Sequence, residues 1–382
     1  MTSHNKAIFT TTALVVAVGT VFALSGCAPA ASNAATDSFS VVATTTQVAD
    51  FSREIAGAAG TVTGLVLANQ SVHGFDPSAN NLLELGAADV LVTNGVELES
   101  WLDDAITASG FDGTVIDAST GVTLLEAGAA EDSHAEDEAT HSEDEAAHTE
   151  EDDHAAEEAA HAEEDSHAAE EAAHAAEEAA AASEDGHDDH GAYDPHIWTN
   201  PANAIVMVQN ITAGFAAADP AQATAFETNS AAYIEKLTAL NGWATASIDQ
   251  VPVAERLLVT NHDAFTYFYN AYGITFVGSI IPSLDDNAEP SAAELDTLIA
   301  AITASGAKAV FSEASLSPKL AETIGQEAGV TVYSGENALY SDSLGAAGSA
   351  GESYLSATIH NVTVLMDSWG YEALPLPATL AI

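Results

Sequence analysis

Hydrophobic residues in the first third of the chain form short runs rich in β-branched side chains, separated by stretches with helical spacing. Such runs predict strands, and apolar spacing of three and four residues predicts amphipathic helices. The predicted strands cover 39–45, 61–67, 89–93 and 114–117, and the predicted helices 47–58, 77–87 and 98–108. Strands that alternate with helices are typical of a parallel sheet with helices on both faces.

The longest helical pattern lies near the middle of the chain. Asn200 and Pro201 are typical of the N-cap and first residue of a helix that we predict over 202–215. Beyond a break, apolar residues over 226–240 keep helical spacing in a second helix. Because no predicted strand lies beside this second helix, we interpret residues 221–249 as a rigid connector between two lobes.

The alternation of strands and helices begins again after the connector. The predicted strands cover 256–260, 274–280, 309–313 and 331–333, and the predicted helices 291–305, 318–328 and 354–369. We therefore predict an α/β protein of two lobes, 39–220 and 250–382, each with a central, mainly parallel sheet flanked by helices. Ligands of such sheets bind at the carboxyl ends of the strands, so we expect the binding site in the cleft between the lobes.

Residues 1–27 have the pattern of an export signal. Lys6 precedes an uncharged apolar run over 7–24, and small residues follow it. A retained transmembrane helix is the alternative, but it needs about 20 apolar residues. The Leu-Ser-Gly-Cys that ends at Cys27 resembles the lipobox of bacterial lipoproteins, in which the cysteine is acylated. This resemblance implies a lipid anchor outside the cytoplasm, followed by a flexible tether over 28–38. Cys27 is the only cysteine, so the chain forms no internal disulfide.

The chain is strongly acidic. Its 382 residues include 58 Asp and Glu against 6 Lys and Arg, a formal net charge of -52. This charge disfavours nucleic-acid binding and favours a cationic ligand, since a negative field concentrates cations. The same acidity is also typical of proteins from a salt-rich environment, and the sequence does not separate the two interpretations.

An acidic, histidine-rich tract over 131–190 interrupts the first lobe. It holds nine of the 14 His and 25 of the 58 acidic residues, without any Lys or Arg. A segment with this much like charge and no apolar periodicity builds no core, so we predict disorder. Histidine and carboxylate together bind borderline divalent ions, and we expect the tract to gather metal. Its histidines are His134, His141, His148, His154, His161, His167, His174, His187 and His190.

The spacing of the tract histidines does not define one site. A step of seven residues on a helix separates neighbours by about 10 Å, and His187 and His190 alone are close enough for a local chelate. The alternatives are a solvated acidic linker with incidental histidines and, less favoured because no Leu or Ile seam exists, a coiled coil. The tract therefore indicates divalent-metal biology without one well-formed site.

Three histidines outside the tract lie at predicted strand ends or before helices. His73 follows the second strand, His196 precedes the helix at 202–215, and His262 follows the strand at 256–260. These positions place all three at the edges of the sheets where ligands bind. A single loop histidine is more often a surface residue, so each of them alone is weak evidence for a metal site.

Four short motifs resemble those of the substrate-binding lipoproteins of bacterial zinc and manganese ABC importers. They are HGFDP at 73–77, DPHIW at 194–198, NHDAF at 261–265 and SDSLG at 341–345. The resemblance covers 38–382, with the tract standing where zinc-type members carry a His-rich loop. It implies two lobes spanned by one long helix, a membrane permease and an ATPase as partners, and a monomeric receptor. The metal ligands that it implies are His73, His196, His262 and Asp342.

The third motif favours zinc. Members that resemble manganese binders carry Glu where this chain has His262. Three imidazoles and one carboxylate suit tetrahedral Zn²⁺, whereas Mn²⁺ prefers more oxygen ligands, and Cu²⁺, Ni²⁺ and Co²⁺ can bind the same donors in vitro. We therefore expect a zinc receptor, with a receptor for manganese or another divalent metal as one alternative and a surface zinc buffer or adhesin as another. A zinc hydrolase is disfavoured, because the sequence has no His-Glu-x-x-His motif.

The sequence departs from the family pattern at two positions. The Asp-Pro-Leu that members carry near the last ligand is Ser-Asp-Ser-Leu here, so this motif supports its ligand, Asp342, least. Asp76 stands where zinc-type members carry Glu near the first histidine, and its approach to the metal is left open. Glu313 ends a predicted strand, and we interpret it as a helix-capping or hinge carboxylate rather than a ligand.

Overall fold

Four parallel strands form the sheet of the first half. The computed structural model describes residues 39–127 and 191–380. The strands are β1 (Phe39–Ala43), β2 (Gly60–Gly64), β3 (Val90–Thr93) and β4 (Thr114–Asp117), in the order β2-β1-β3-β4. The two central strands, β1 and β3, are almost wholly buried. Because every pair is parallel, the carboxyl ends of all four strands lie along one edge.

Helices follow each of the first three strands. They are α1 (Thr46–Ala56), α2 (Ala79–Gly86) and α3 (Leu102–Ser109). Helix α1 begins where the Thr45 side chain accepts a hydrogen bond from Val48 N. Helix α2 begins with a capping box between Ser78 and Asn81. Because β2 ends at Gly64 and α2 begins only at Ala79, a long loop lies between them at the carboxyl edge of the sheet.

Two long helices occupy the middle of the chain. They are α4 (Pro201–Ala218) and α5 (Ala223–Ile248). The Asn200 side chain caps α4 by accepting from Ala202 N, and proline occupies the first turn. Phe226, Tyr233 and Leu237 are buried on one face of α5, as the spacing of its apolar residues predicted.

The second half repeats the alternation of strands and helices. Its elements are β5 (Leu257–His262), α6 (Thr266–Tyr272), β6 (Thr275–Ile281), α7 (Ala292–Ser305), β7 (Ala309–Phe311), α8 (Lys319–Ala328), β8 (Thr331–Tyr333) and α9 (Tyr354–Trp369). The pairs β5–β6 and β7–β8 are parallel, and β5 lies beside β7. These strands form two two-stranded sheets whose neighbouring strands, β5 and β7, lie side by side, so their spatial order resembles that of the first sheet.

Helix α5 packs against elements of both halves. It contacts α1 and α4, which precede it in the chain, and α9 of the second half. One hydrophobic core includes Phe51 of α1, Phe226 of α5, and Phe265 and Trp369 of the second half. Because both halves share this core, they pack directly against one another rather than being joined by a loose linker.

The α/β fold with parallel sheets flanked by helices is confirmed, whereas helix α6 was not predicted. The boundaries that we assign to the two lobes and the connector stay a prediction. The signal, Cys27, the tether and the histidine-rich tract lie outside the described residues. Across 39–127 and 191–380, no helix combines the length and the apolar composition needed to cross a bilayer.

Candidate metal centre

Four side chains from separate segments meet at one point. His73 lies in the loop between β2 and α2, His196 precedes α4, His262 ends β5, and Asp342 follows β8. Each offers one possible ligand atom, and these atoms all lie within 4.8 Å of one another. The structure therefore brings together the four residues that the resemblance implied as ligands.

Asp342 contacts all three imidazoles. Its Oδ2 lies 3.1 Å from His262 Nε2 and 3.5 Å from His73 Nε2, and its Oδ1 lies 3.3 Å from His196 Nε2. Three of the four side chains are fully buried, and that of His73 is 10% exposed. Among the described residues, none of these facing atoms has a well-formed hydrogen bond. Buried polar atoms converge in this way where a cation can bind, because otherwise their desolvation is uncompensated.

Side chains of the first half hold the loop that carries Asp342. Gln47 Nε2 and Trp198 Nε1 both donate to the carbonyl of Ser341, at 2.9 and 3.1 Å. Both donors come from segments next to the sheet edge, after β1 and after His196. The carboxylate of Asp342 is thereby fixed against the imidazoles by the opposite half of the chain.

A second link joins the loops of His73 and Asp342. Asn69 adopts a positive φ of 60°, and its N–H lies 2.8 Å from Ser343 Oγ and 3.2 Å from the carbonyl of Leu344. Asparagine tolerates this left-handed backbone better than most residues. Ser343, which departs from the expected motif, thus supplies a hydrogen-bond acceptor that the pyrrolidine ring of proline lacks.

Asp194 orients His196. Its Oδ1 lies 2.7 Å from His196 Nδ1 and accepts from His196 N at 2.8 Å. Because the carboxylate binds the Nδ1 side of the ring, a proton is held there and Nε2 is directed at Asp342. The Asp-Pro-His order of the motif therefore has a physical reason, since it places a carboxylate two residues before the imidazole that it holds.

Glu313 lies behind His262 in a similar way, although its contact with His262 Nδ1 is a close ion pair and not a well-formed hydrogen bond. Its Oε2 lies 2.7 Å from His262 Nδ1, its Oε1 accepts from His262 N at 2.9 Å, and Ser341 Oγ donates to the same carboxylate. We expected a helix-capping or hinge carboxylate at this position. Instead, Glu313 is buried after β7 and contacts the candidate ligand His262 at the end of the neighbouring strand β5. The sequence places both residues at strand ends but does not otherwise indicate this contact.

Buried charge controls the protonation of the group. Burial lowers the pKa of His196, but the charges of Asp194 and Asp342 outweigh it and raise that pKa to about 9. Burial also opposes the rise at His262, where the charges of Asp342 and Glu313 hold the pKa well above its ordinary value. Burial raises the pKa of Asp342, yet both imidazoles lower it well below its usual range. Without metal, protons on the imidazoles therefore supply positive charge to the carboxylates.

The described segments that flank the tract pair with one another near His196. Glu126 and Tyr193 form an antiparallel bridge, so the chain leaves and re-enters the fold at one place. Tyr267 Oη donates to the carbonyl of Asp194 at 2.8 Å and accepts from Leu125 N at 3.1 Å. Tyr267 thus links the segment before the tract to the segment that carries His196. Asp76 is exposed and is not part of the group of four, and the nine tract histidines lie outside the described residues.

The comparisons identify the class of protein. The family model described as "ZnuA: Zinc-uptake complex component A periplasmic" matches residues 41–368, and the chain belongs to this family. The family consists of periplasmic metal-binding receptors of uptake systems, not enzymes. The four motifs predicted a family of metal receptors that are not enzymes, and this prediction is confirmed.

The relatives include a zinc-binding protein and a manganese-binding protein. The chain is 30% identical over 292 residues to the zinc-binding protein AdcA of Streptococcus pyogenes serotype M3, an alignment that covers 76% of this chain and 48% of AdcA. The chain thus spans about half the length of these zinc-binding relatives. It is 28% identical over 351 residues to the manganese-binding lipoprotein MntA of Bacillus subtilis, covering 90% and 94% of the two chains.

Solved structures share the fold. The periplasmic zinc-binding protein TroA from Treponema pallidum superposes with a TM-score of 0.65 at 20% identity, over 86% of this chain and 98% of TroA. A manganese-bound periplasmic metal-binding protein from Candidatus Liberibacter asiaticus gives a TM-score of 0.63 at 20% identity, over 86% and 99% of the chains. These likenesses support the two-lobed α/β architecture.

Replacing the carboxylate behind His262 should weaken metal binding without removing a ligand. For Glu313→Gln we expect zinc affinity to fall by about 10- to 100-fold, the usual effect of losing an outer carboxylate partner. Competition against a chromophoric chelator measures the affinity. Glu322→Gln, an exposed change on α8, is the matched control. Equal affinities for the two variants would contradict the orienting role of Glu313.

The metal-free protein should lose stability as pH rises, whereas zinc binding should strengthen. The pKa of His196 rises from 6.5 to about 9 on folding, so its protonated form stabilises the fold fully below pH 6.5 and this stabilisation is lost through pH 9. We expect the free energy of unfolding to fall by about 3 kcal/mol from this group. Zinc displaces fewer protons at higher pH and so binds more tightly.

Urea unfolding in the presence of chelator measures the free energy of unfolding, and zinc titration measures the affinity, both at pH 6–9. If stability and affinity changed in the same direction as pH rises, this account would be contradicted.

Proposed function

We propose that this chain is the zinc receptor of an ABC importer, in which His73, His196, His262 and Asp342 bind Zn²⁺ as the transported ion. The observation that carries the proposal is the meeting of these four donors within 4.8 Å at a buried point. Two come from the first half and two from the second. The buried carboxylates around them favour a cation over any neutral or anionic ligand.

The donor set favours zinc over manganese. Three imidazole nitrogens and one carboxylate match the tetrahedral preference of Zn²⁺, and carboxylates fix each of two imidazoles with Nε2 directed inward. Manganese binding is the second candidate, because the manganese-binding MntA is aligned over nearly its full length. Manganese prefers a set richer in oxygen, so we rank it below zinc.

Delivery requires a membrane permease and an ATPase as partners, and release requires that the donors separate. His73 and His196 would move relative to His262 and Asp342 if contacts between the halves opened. The Asn69 contacts with the loop after Asp342 are among those that would have to break. The receptor is proposed to act as a monomer, since the four donors come from one chain.

Removing one proposed ligand tests the site. For His262→Ala we expect a larger loss of zinc affinity than the about 10- to 100-fold typical of an outer partner, because a bond to the metal itself is lost. Isothermal titration with zinc measures this loss. His360→Ala is the matched control, since His360 lies on α9 and its Nε2 contacts the carbonyl of Ala338, outside the group. Retention of tight binding by His262→Ala would reject the proposed function.

The acidic tract is proposed to gather zinc for the buried site. Its nine histidines and 25 acidic residues offer many weak metal donors. The residues that follow the tract lead directly to His196. Deleting 131–190 should remove the weak zinc equivalents and leave the tight one. A full-length variant with the nine histidines changed to Asn keeps length and charge as a control. Loss of the tight equivalent in either protein would show that the tract belongs to the site.

A lipid on Cys27 is proposed to hold the receptor at the outer face of the cell membrane. The support is the Leu-Ser-Gly-Cys motif and the lipoprotein name of the MntA relative. We expect Cys27→Ala to move the protein from the membrane fraction to the soluble fraction of the expressing bacterium. Continued recovery with membranes after a high-salt wash would contradict the anchor.

A further inference from the structure

A further carboxylate lies close to the group of four. Asp286, between β6 and α7, is buried with 5% of its surface exposed. Its Oδ1 accepts from Ser71 Oγ at 2.6 Å and from Asn287 Nδ2 at 3.1 Å. Its Oδ2 is buried and has no hydrogen-bond partner among the described residues. A buried carboxylate oxygen left in this state is costly unless a cation reaches it.

Contacts place Asp286 on the His73 side of the group. Ser71, which holds its Oδ1, lies two residues before His73. Asn287 lies 3.0 Å from the position that a side-chain carbon at Gly74 would occupy, so the segment that carries Asp286 packs on both sides of His73. Burial raises the pKa of Asp286, the charge of Asp342 raises it further, and the imidazoles of His262 and His73 lower it. The carboxylate therefore lies within the electrostatic reach of the proposed ligands.

His73 also faces the outside. It lines an open cavity of about 330 Å³ together with Glu97, Asp285 and Gly191, and it is the one proposed ligand whose side chain is partly exposed, at 10%. The other three proposed ligands do not line this cavity. A cation that enters from the cavity therefore meets His73 first.

We propose that Asp286 is an entry ligand of the metal centre, whose Oδ2 takes an incoming divalent cation together with His73 before it passes to the buried donors. This inference rests on the proposed function and adds one residue to its site. Ser71 and Asn287 satisfy only Oδ1, which leaves Oδ2 to replace a water of the hydrated cation. An oxygen donor at this point also assists a cation that prefers oxygen ligands, such as Mn²⁺.

The proposal predicts an effect on the rate of capture. Trp198 reports on the site, because its ring centroid lies 5.3 Å from that of His196. Stopped-flow fluorescence of the full chain mixed with Zn²⁺ or Mn²⁺ alone gives the association rate. For Asp286→Asn we expect the rate to fall by about 10-fold or more for both ions, since a charged oxygen donor is lost. Asp296→Asn removes the same charge from the exposed face of α7, away from this cavity, and we expect a change within about 3-fold.

Stability separates an entry ligand from a structural residue. Because the Oδ2 charge is buried without a partner, Asp286→Asn should keep or raise the unfolding temperature of the metal-free protein. Ser71→Ala, a second variant that leaves the carboxylate in place but unheld, should slow capture less than Asp286→Asn. Equal association rates for Asp286→Asn and Asp296→Asn, or a lower unfolding temperature for Asp286→Asn together with a normal association rate, would overturn the inference.

The outcomes for the entry ligand and for the receptor are distinguishable. If His262→Ala binds zinc as tightly as the unmodified protein, the proposed function fails and the entry ligand fails with it. If His262→Ala loses tight binding while Asp286→Asn captures both ions at the rate of Asp296→Asn, the entry ligand alone is wrong.

Discussion

Negative charge buried behind the imidazoles is the constraint on which the site depends. Asp194 and Glu313 each hold the Nδ1 side of one ring, so the Nε2 atoms of His196 and His262 face Asp342. Carboxylates this close together repel one another in a poorly solvated interior, and only positive charge relieves the repulsion. Protons supply that charge in the metal-free protein, and a divalent cation can replace them. In the proposed receptor, metal and protons therefore compete for the same atoms.

The fold delivers these groups by the geometry of parallel strands. His262 ends β5, Glu313 follows β7 beside it, and His73 follows β2, so strand ends supply donors from both halves. A shared hydrophobic core, with α5 packed against elements of both halves, brings the two edges together. Loops then need to span only short gaps, which are closed by hydrogen bonds such as that of Gln47 to the carbonyl of Ser341. Rigid elements thus position a site whose outer side remains accessible at His73.

Part of this arrangement could be predicted from the sequence. The β-rich run that ends at His262 marks a strand end, and strand ends are where α/β sheets bind ligands. Asp342 could be assigned only through the resemblance, because no local pattern distinguishes it from other loop acids. Glu313 binds a residue 51 positions away, and no spacing rule encodes such a contact. Helix α6 was missed because its four aromatic residues favour strands by propensity, whereas packing into the core decides their conformation.

Anomalous diffraction at the zinc edge, on crystals of the full chain grown with one equivalent of zinc, tests the central claim most directly. The account predicts one strong peak at about 2.0–2.2 Å from Nε2 of His73, His196 and His262 and from a carboxylate oxygen of Asp342. A dominant peak elsewhere, or one at this point that leaves His196 or His262 uncoordinated, would contradict it.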